Sequence, residues 1–118
     1  MQKTTTIKSN SDFRRLYRAR YAAGAVLVSY AARGRTAGLR IGITTGKKVG
    51  GAVQRNRCRR IIRAAYRQLE SHCAGRWDIV FVAREKTCGC KTQEIVQEMR
   101  GQLKKLGVWR SEPAGPAV

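Results

Sequence analysis

GKKVGGAVQRNRCRRIIRAAYRQL, residues 46–69, holds eight Lys or Arg and no acidic residue. Apolar side chains nevertheless recur through its second half. Projected at about 100° per residue, Cys58, Ile61, Ile62, Ala65 and Leu69 share one stripe. Asn56, Arg60, Arg63 and Arg67 fall on the opposite side, with Arg59 nearby and Arg57 flanking. The predicted helix, from about Ala52 to about Leu69, therefore packs one face on a core and turns an almost purely cationic face outward. Solvated helices ordinarily mix signs and gain from i,i+4 pairs. Here the pairs repel, at a few tenths of a kcal/mol each, and a phosphate-rich partner would reverse the sign. The GKKVGG segment adds flexible backbone and places Lys47 and Lys48 near the helix N-terminus, where phosphates bind well.

The whole chain repeats this bias. Its 118 residues suit one domain with a single modest core, and 42% hydrophobic residues set it apart from a disordered polyelectrolyte. A net charge of +18 disfavours compaction through self-repulsion unless a polyanion is the partner. The charge is also segregated. Phe13 to Leu69 contains fifteen Arg or Lys and no acid, while Asp12 sits just before this block and the other six acids follow it. That partition points to one extended cationic face and to nucleic acid. A merely solubilising face is the alternative, but no acid interrupts the block. A DNA-reading helix would also use Arg and Asn. No short helix-turn-helix pair precedes the helix, however, so RNA is favoured. No apolar run approaches a membrane span, and MQKTTTIKSN lacks a secretory-type hydrophobic segment. A cytoplasmic protein with no membrane partner is expected. Cys58, Cys73, Cys88 and Cys90 are expected as reduced thiols. CGC at 88–90 has no second pair and no nearby histidine to complete a zinc site, so no metal ligand is assigned.

Other segments read as alternating strands and helices. In SNSDFRRLYRAR, Asn10, Ser11 or Asp12 is the expected cap; Phe13, Leu16 and Tyr17 share a face, and Arg14, Arg15 and Arg18 take the other side. AVLVSYAA (25–32) reads as a strand with Val26, Val28 and Tyr30 on one face. LRIGITT (39–45) follows the turn RGRTAG as a second strand, and WDIVFVAR (77–84) as a buried one. TQEIVQEMRGQLKKLGV is a closing helix with Ile95, Met99, Leu103 and Leu106 at helical spacing. Its early Glu94 and Glu98 and late Lys104 and Lys105 match the helix dipole. Trp77 is expected to pack, and His72 to lie on the surface. The predicted class is α+β, with one domain over residues 1–108 and a flexible tail over 109–118.

KKVGGAVQRNRCRRIIRAAYR resembles the signature of the bacterial ribonuclease P protein family, in which a KKVGxAVxRNRxKRxxRE run leads into a highly basic helix. SDFRRLYRAR resembles the family's first helix, LVSYAA its first strand, LRIGITTGKK the strand before the motif and WDIVFVAR its last strand, so the likeness covers about residues 7–107 in family order. It implies a single-domain α/β sandwich, ribosomal S5 domain 2-like, with three helices on a central mixed sheet. The implied order is α-β-β-β-α-β-α with a left-handed β-α-β crossover, where general rules alone would give a right-handed one. It also implies an RNA-binding subunit that assists a catalytic RNA in removing the 5′ leader from precursor tRNA. This chain would then hold no catalytic residue and no cofactor, with Mg2+ entering through the RNA, and would need no obligate protein partner.

By the same likeness Lys47, Lys48, Arg55, Asn56, Arg57, Arg59 and Arg60 face the catalytic RNA, and Arg63 and Arg67 continue that face. Phe13, Tyr17 and Tyr30 match the aromatic positions of a cleft for the single-stranded leader, bordered by Arg14 and Arg18, with Arg20 as a further rim charge. Phe13 and Tyr17 equally suit an ordinary core face, and Tyr30 a strand residue packed on that helix. The chain departs from the pattern at Gly46, where Ser is common, in the variant strand Ile43-Thr44-Thr45, at Arg59, where Lys is more frequent, and at Ala64, where Glu is usual. Two rival classes share some of these features. A ribosomal or other structural RNA-binding protein would share the charge and size. A protein nuclease would need clustered carboxylates; Glu94 and Glu98, one helical turn apart, come nearest, and solvation of the helix accounts for them.

Overall fold

The computed structural model describes residues 4–110. Its elements run β1 (Thr4–Thr6), α1 (Asn10–Leu16), β2 (Arg20–Ala23), β3 (Leu27–Arg33), β4 (Leu39–Thr44), α2 (Ala52–Leu69), β5 (Trp77–Ala83) and α3 (Thr92–Leu106). The five strands form one mixed sheet in the order β1-β4-β5-β3-β2. β4 lies parallel to both β1 and β5, whereas β3 is antiparallel to β5 and β2. The fold is thus α+β with three helices on a central mixed sheet, and β4-α2-β5 is a parallel crossover unit. One strand stands outside the expected order: β1, three threonines whose strand state comes only from pairing along the β4 edge.

Alternation along the strands sorts side chains into two layers. Leu27 and Ala31 of β3, Leu39 of β4, and Ile79 and Phe81 of β5 face the main core, which α2 and α3 close with Cys58, Ile62, Ala65, Leu69, Ile95, Met99, Leu103 and Leu106. The apolar stripe of α2 is shifted from its expected position. Tyr66 is buried, its ring 5.8 Å from Phe81 and its hydroxyl 2.8 Å from Thr4 Oγ1, while Ile61 is only half-buried at the margin. Polar groups inside this layer are bonded. Gln102 donates to Leu27 O at 2.8 Å and accepts from Ser29 Oγ at 2.5 Å. Glu98 accepts from Val26 N at 3.2 Å, which ties α3 to the turn before β3. Glu94 accepts from Lys91 N at 2.9 Å and closes the helix start. Both carboxylates therefore hold local structure, in place of the simple solvation expected of them.

Among the described helices, α1 alone packs on the opposite sheet face. Ser9, one residue earlier than expected, caps that helix and accepts from Ser11 N at 3.2 Å. Leu16 is fully buried with Ile7 and Val80, and Phe13, Tyr30, Ala32 and Val82 pack around them. Phe13 lies on Gly42 so closely that a Cβ there would stand 2.7 Å from its ring. At the other end of the chain, Trp109 and Arg110 fall within the expected tail yet are tied down. Trp109 pairs with Cys73 in an isolated bridge and stacks on His72 at 4.2 Å, and Arg110 N donates to His72 O at 2.8 Å. The remainder of the tail, 111–118, lies outside the described residues.

Candidate nucleic-acid interface

Helix α2 presents the first surface. Asn56, Arg57, Arg59, Arg60, Arg63 and Arg67 are exposed along it, and Arg55 is half-exposed. Val53, 77% exposed, joins Asn56, Arg59, Arg60 and Arg63 around a shallow depression. Lys47 and Lys48 form a 3-10 turn just before the helix and are exposed, with Gly50 at φ 137° and Gly51 as the N-cap making the bend. No acidic residue occurs in the first turn of α2, and none of these Arg and Lys residues is in an ion pair among the described residues. The cations predicted from the sequence therefore come together as one unneutralised strip.

A second surface lies on the α1 face of the sheet. Strand register sets its rows. Arg40, Asp78 and Ala32 form one row; Gly42, Val80, Tyr30 and Tyr21 form the next; Thr44, Val82, Val28 and Ala23 form the third. Phe13 and Leu16 of α1 cover Gly42 and Val80, while Tyr21 at the far edge and the third row stay open as the floor of a trough. Phe13 is half-buried against Gly42, and Tyr17 is 44% exposed. Tyr17 stands edge-on to Tyr30, ring centres 5.4 Å apart, and Tyr21, its cross-strand partner, lies tilted against Tyr30 at 5.5 Å. Val28 and Val82 share the open end with Lys47, Lys48, Arg84 and Lys86. The arrangement is an aromatic and aliphatic floor with a cationic border.

The sequence did not single out Tyr21. It lies in β2, a strand too short to announce itself, and only the pairing with Tyr30 reveals its place. Two arginines also behave unlike their sequence reading. Arg15, grouped with the outward-facing Arg14 and Arg18, turns inward instead. It donates to Asp78, to Asp12 at 3.4 Å and to Arg33 O at 3.4 Å. Arg20 lies on the opposite side of β2 from Tyr21 and donates to Lys105 O at 3.2 Å, so it is not a rim charge of the trough. Arg14 on α1 and Arg18 in the turn after it remain exposed.

Asp78 anchors the covered end. Its carboxylate is buried and bonds Arg40 Nε at 2.9 Å and Nη2 at 2.7 Å. Burial alone would raise its pKa, but the hydrogen bonds from Arg40 and Arg15 and their charges outweigh this and hold it below the ordinary carboxylate value. The same bonds raise the Arg40 pKa. Burial dominates at the thiols. It pushes Cys58 up to about 11, with Cys88 beside it contributing, and Cys73 up to about 12. Such thiols are protonated at neutral pH and are poor nucleophiles. Among the described residues no group of three or more His, Cys, Asp or Glu is placed to hold a metal ion, and no helix is long and apolar enough to cross a membrane.

Comparison with known proteins agrees along nearly the whole length. The family model described as Ribonuclease P matches residues 1–107. A ribonuclease P protein component of Clostridium novyi (strain NT) is 35% identical over 112 residues, covering 92% of this chain and 99% of that protein. Its counterpart in Clostridioides difficile (strain 630) is 33% identical over 108 residues, covering 90% and 95%. The solved RNase P protein of Staphylococcus aureus superposes with a TM-score of 0.77 at 32% identity, covering 89% of this chain and 97% of that one. A motif match, relatives of matching length and the same fold converge on one family, and the chain belongs to the ribonuclease P protein components.

Proposed function

We propose that this chain is the RNA-binding protein subunit of ribonuclease P and assists a catalytic RNA in cutting the 5′ leader from precursor tRNA. The observation that carries this reading is the pairing of two unlike surfaces on one small sheet. The strip of Lys47, Lys48, Arg55, Asn56, Arg57, Arg59, Arg60, Arg63 and Arg67 suits the phosphates of a structured RNA. The trough of Phe13, Tyr17 and Tyr30, with Arg14 and Arg18 beside it, suits a single strand. A single-stranded leader has no groove to read and is held by backbone charge and base stacking. A structural RNA-binding protein has no need of the second surface.

The chemistry belongs to the RNA in this reading. Four of the acids are committed to structure: Asp12 and Asp78 to arginines, Glu94 and Glu98 to backbone amides. Divalent ions such as Mg2+ would enter with the RNA, and the complex would work in the cytoplasm. Cleavage of precursor tRNA by the cognate RNA at low Mg2+, with and without the protein, tests the proposal. The protein should restore cleavage there, while rigorously RNA-free protein should release no leader. Rapid cleavage by the protein alone would overturn the assignment of chemistry to the RNA.

A further inference from the structure

We infer that Tyr21 adds a further stacking position to the leader trough and takes a base more distant from the cleavage point than those met by Tyr17 and Tyr30; this rests on the leader-trough reading above. Tyr21 is 64% exposed, more than any other aromatic ring in the described residues. It is not isolated. Its ring lies 5.5 Å from Tyr30, which is itself 5.4 Å from Tyr17, on the same sheet face as the open floor of Val28 and Val82. An aromatic pair across two strands supports a sheet whether or not a ligand comes. That role, however, does not account for so much ring left in water at the rim of a trough.

The sheet order sets the direction. β4 leads directly into Lys47–Val49 and the cationic helix, where the catalytic RNA would sit, whereas β2 is the far edge strand, three strands away. At roughly 4.8 Å per strand this is on the order of 14 Å. A leader that starts beside the catalytic RNA meets the Tyr17–Tyr30 pair first and reaches Tyr21 only when longer. Base–aromatic stacking needs no particular base, so the site reads leader length and single-strandedness more than sequence.

The test uses reconstituted holoenzyme and precursor tRNAs whose leaders grow one nucleotide at a time, with affinity measured for each. Tyr17→Ala should weaken binding from short leaders onward. Tyr21→Ala should leave mature tRNA and the shortest leaders unchanged, then weaken binding by about five- to hundredfold beyond a threshold length. Tyr21→Phe should keep the wild-type profile. An abasic nucleotide at the threshold position should mimic Tyr21→Ala, and the two losses should not add. If Tyr17→Ala shows its leader-dependent loss while Tyr21→Ala shows none at any length, the inference fails and the trough stands. A Tyr21→Ala loss equal for mature and precursor tRNA assigns the ring to the fold or the catalytic RNA and also overturns it. If neither variant distinguishes precursor from mature tRNA, the trough reading falls and takes this inference with it.

Discussion

Asp78 is fully buried yet ionised, and two arginines from different elements make that possible. Arg15 comes from α1 and Arg40 from β4, so one carboxylate fastens the short helix to the sheet at the covered end of the trough. Removing it leaves Arg15 and Arg40 sharing Asp12 alone, at 3.4 and 3.3 Å, with the Asp78 site beneath them uncharged. Asp78→Asn should cost about 3–5 kcal/mol, the usual penalty for breaking a buried pair, read by denaturant unfolding at neutral pH. The lowered pKa gives the pH direction as well. The unfolded carboxylate titrates near pH 3.9, so this stabilisation is complete above about pH 4 and is lost as pH falls through the lower folded value. Stability measured from pH 6 down to 3 should decline in the wild type, and that part of the decline should be missing in Asp78→Asn. Gly42 matters for closeness and not for backbone freedom. A methyl there would meet Phe13 at 2.7 Å. Gly42→Ala should cost roughly 1–3 kcal/mol by overpacking and should weaken precursor tRNA binding more than mature tRNA binding, because Phe13 must shift.

Helix α2 separates its two duties by face. Arg57 and Arg60 are exposed, whereas Ile62 is completely buried in the main core. Arg57→Ala and Arg60→Ala should leave thermal unfolding nearly unchanged and weaken binding to the catalytic RNA, each lowering the slope of log affinity against log salt by about one. Ile62→Ala should act the other way, costing about 2–5 kcal/mol of stability by opening a cavity. Ile61→Ala should cost less than Ile62→Ala, because Ile61 lies at the margin of the stripe. Unfolding by Arg57→Ala with tolerance of Ile62→Ala would mean that the two faces are inverted.

Across the whole molecule, charge and packing are divided by the sheet. α2 and α3 bury one sheet face and leave the cationic strip outside, while α1 covers only part of the other. A net charge of +18 is carried at the expense of self-repulsion. Binding the catalytic RNA should therefore raise the melting temperature of the protein, and the gain should shrink as salt rises. Scanning calorimetry of the free and RNA-bound protein at two salt concentrations checks this. A gain independent of salt would show that charge relief is not the source.

Local pattern determined the long elements. α2 and α3 could be read because their apolar residues recur at helical spacing over several turns, and β4 and β5 because short β-rich runs are bounded by turn residues. The cationic strip was legible for the same reason: one helix carries most of it. Contacts between distant segments were not legible. Tyr21 acquires meaning only when β2 pairs with β3, and Arg15 leaves the solvent side only because Asp78, far along the chain, arrives beneath it. Tyr66 displaces Ile61 from the centre of the buried stripe because Phe81 and Thr4 stand opposite. A sequence states each residue's period and polarity. Which surface each one meets is decided by pairings that no local period encodes, and the trough is made of such pairings.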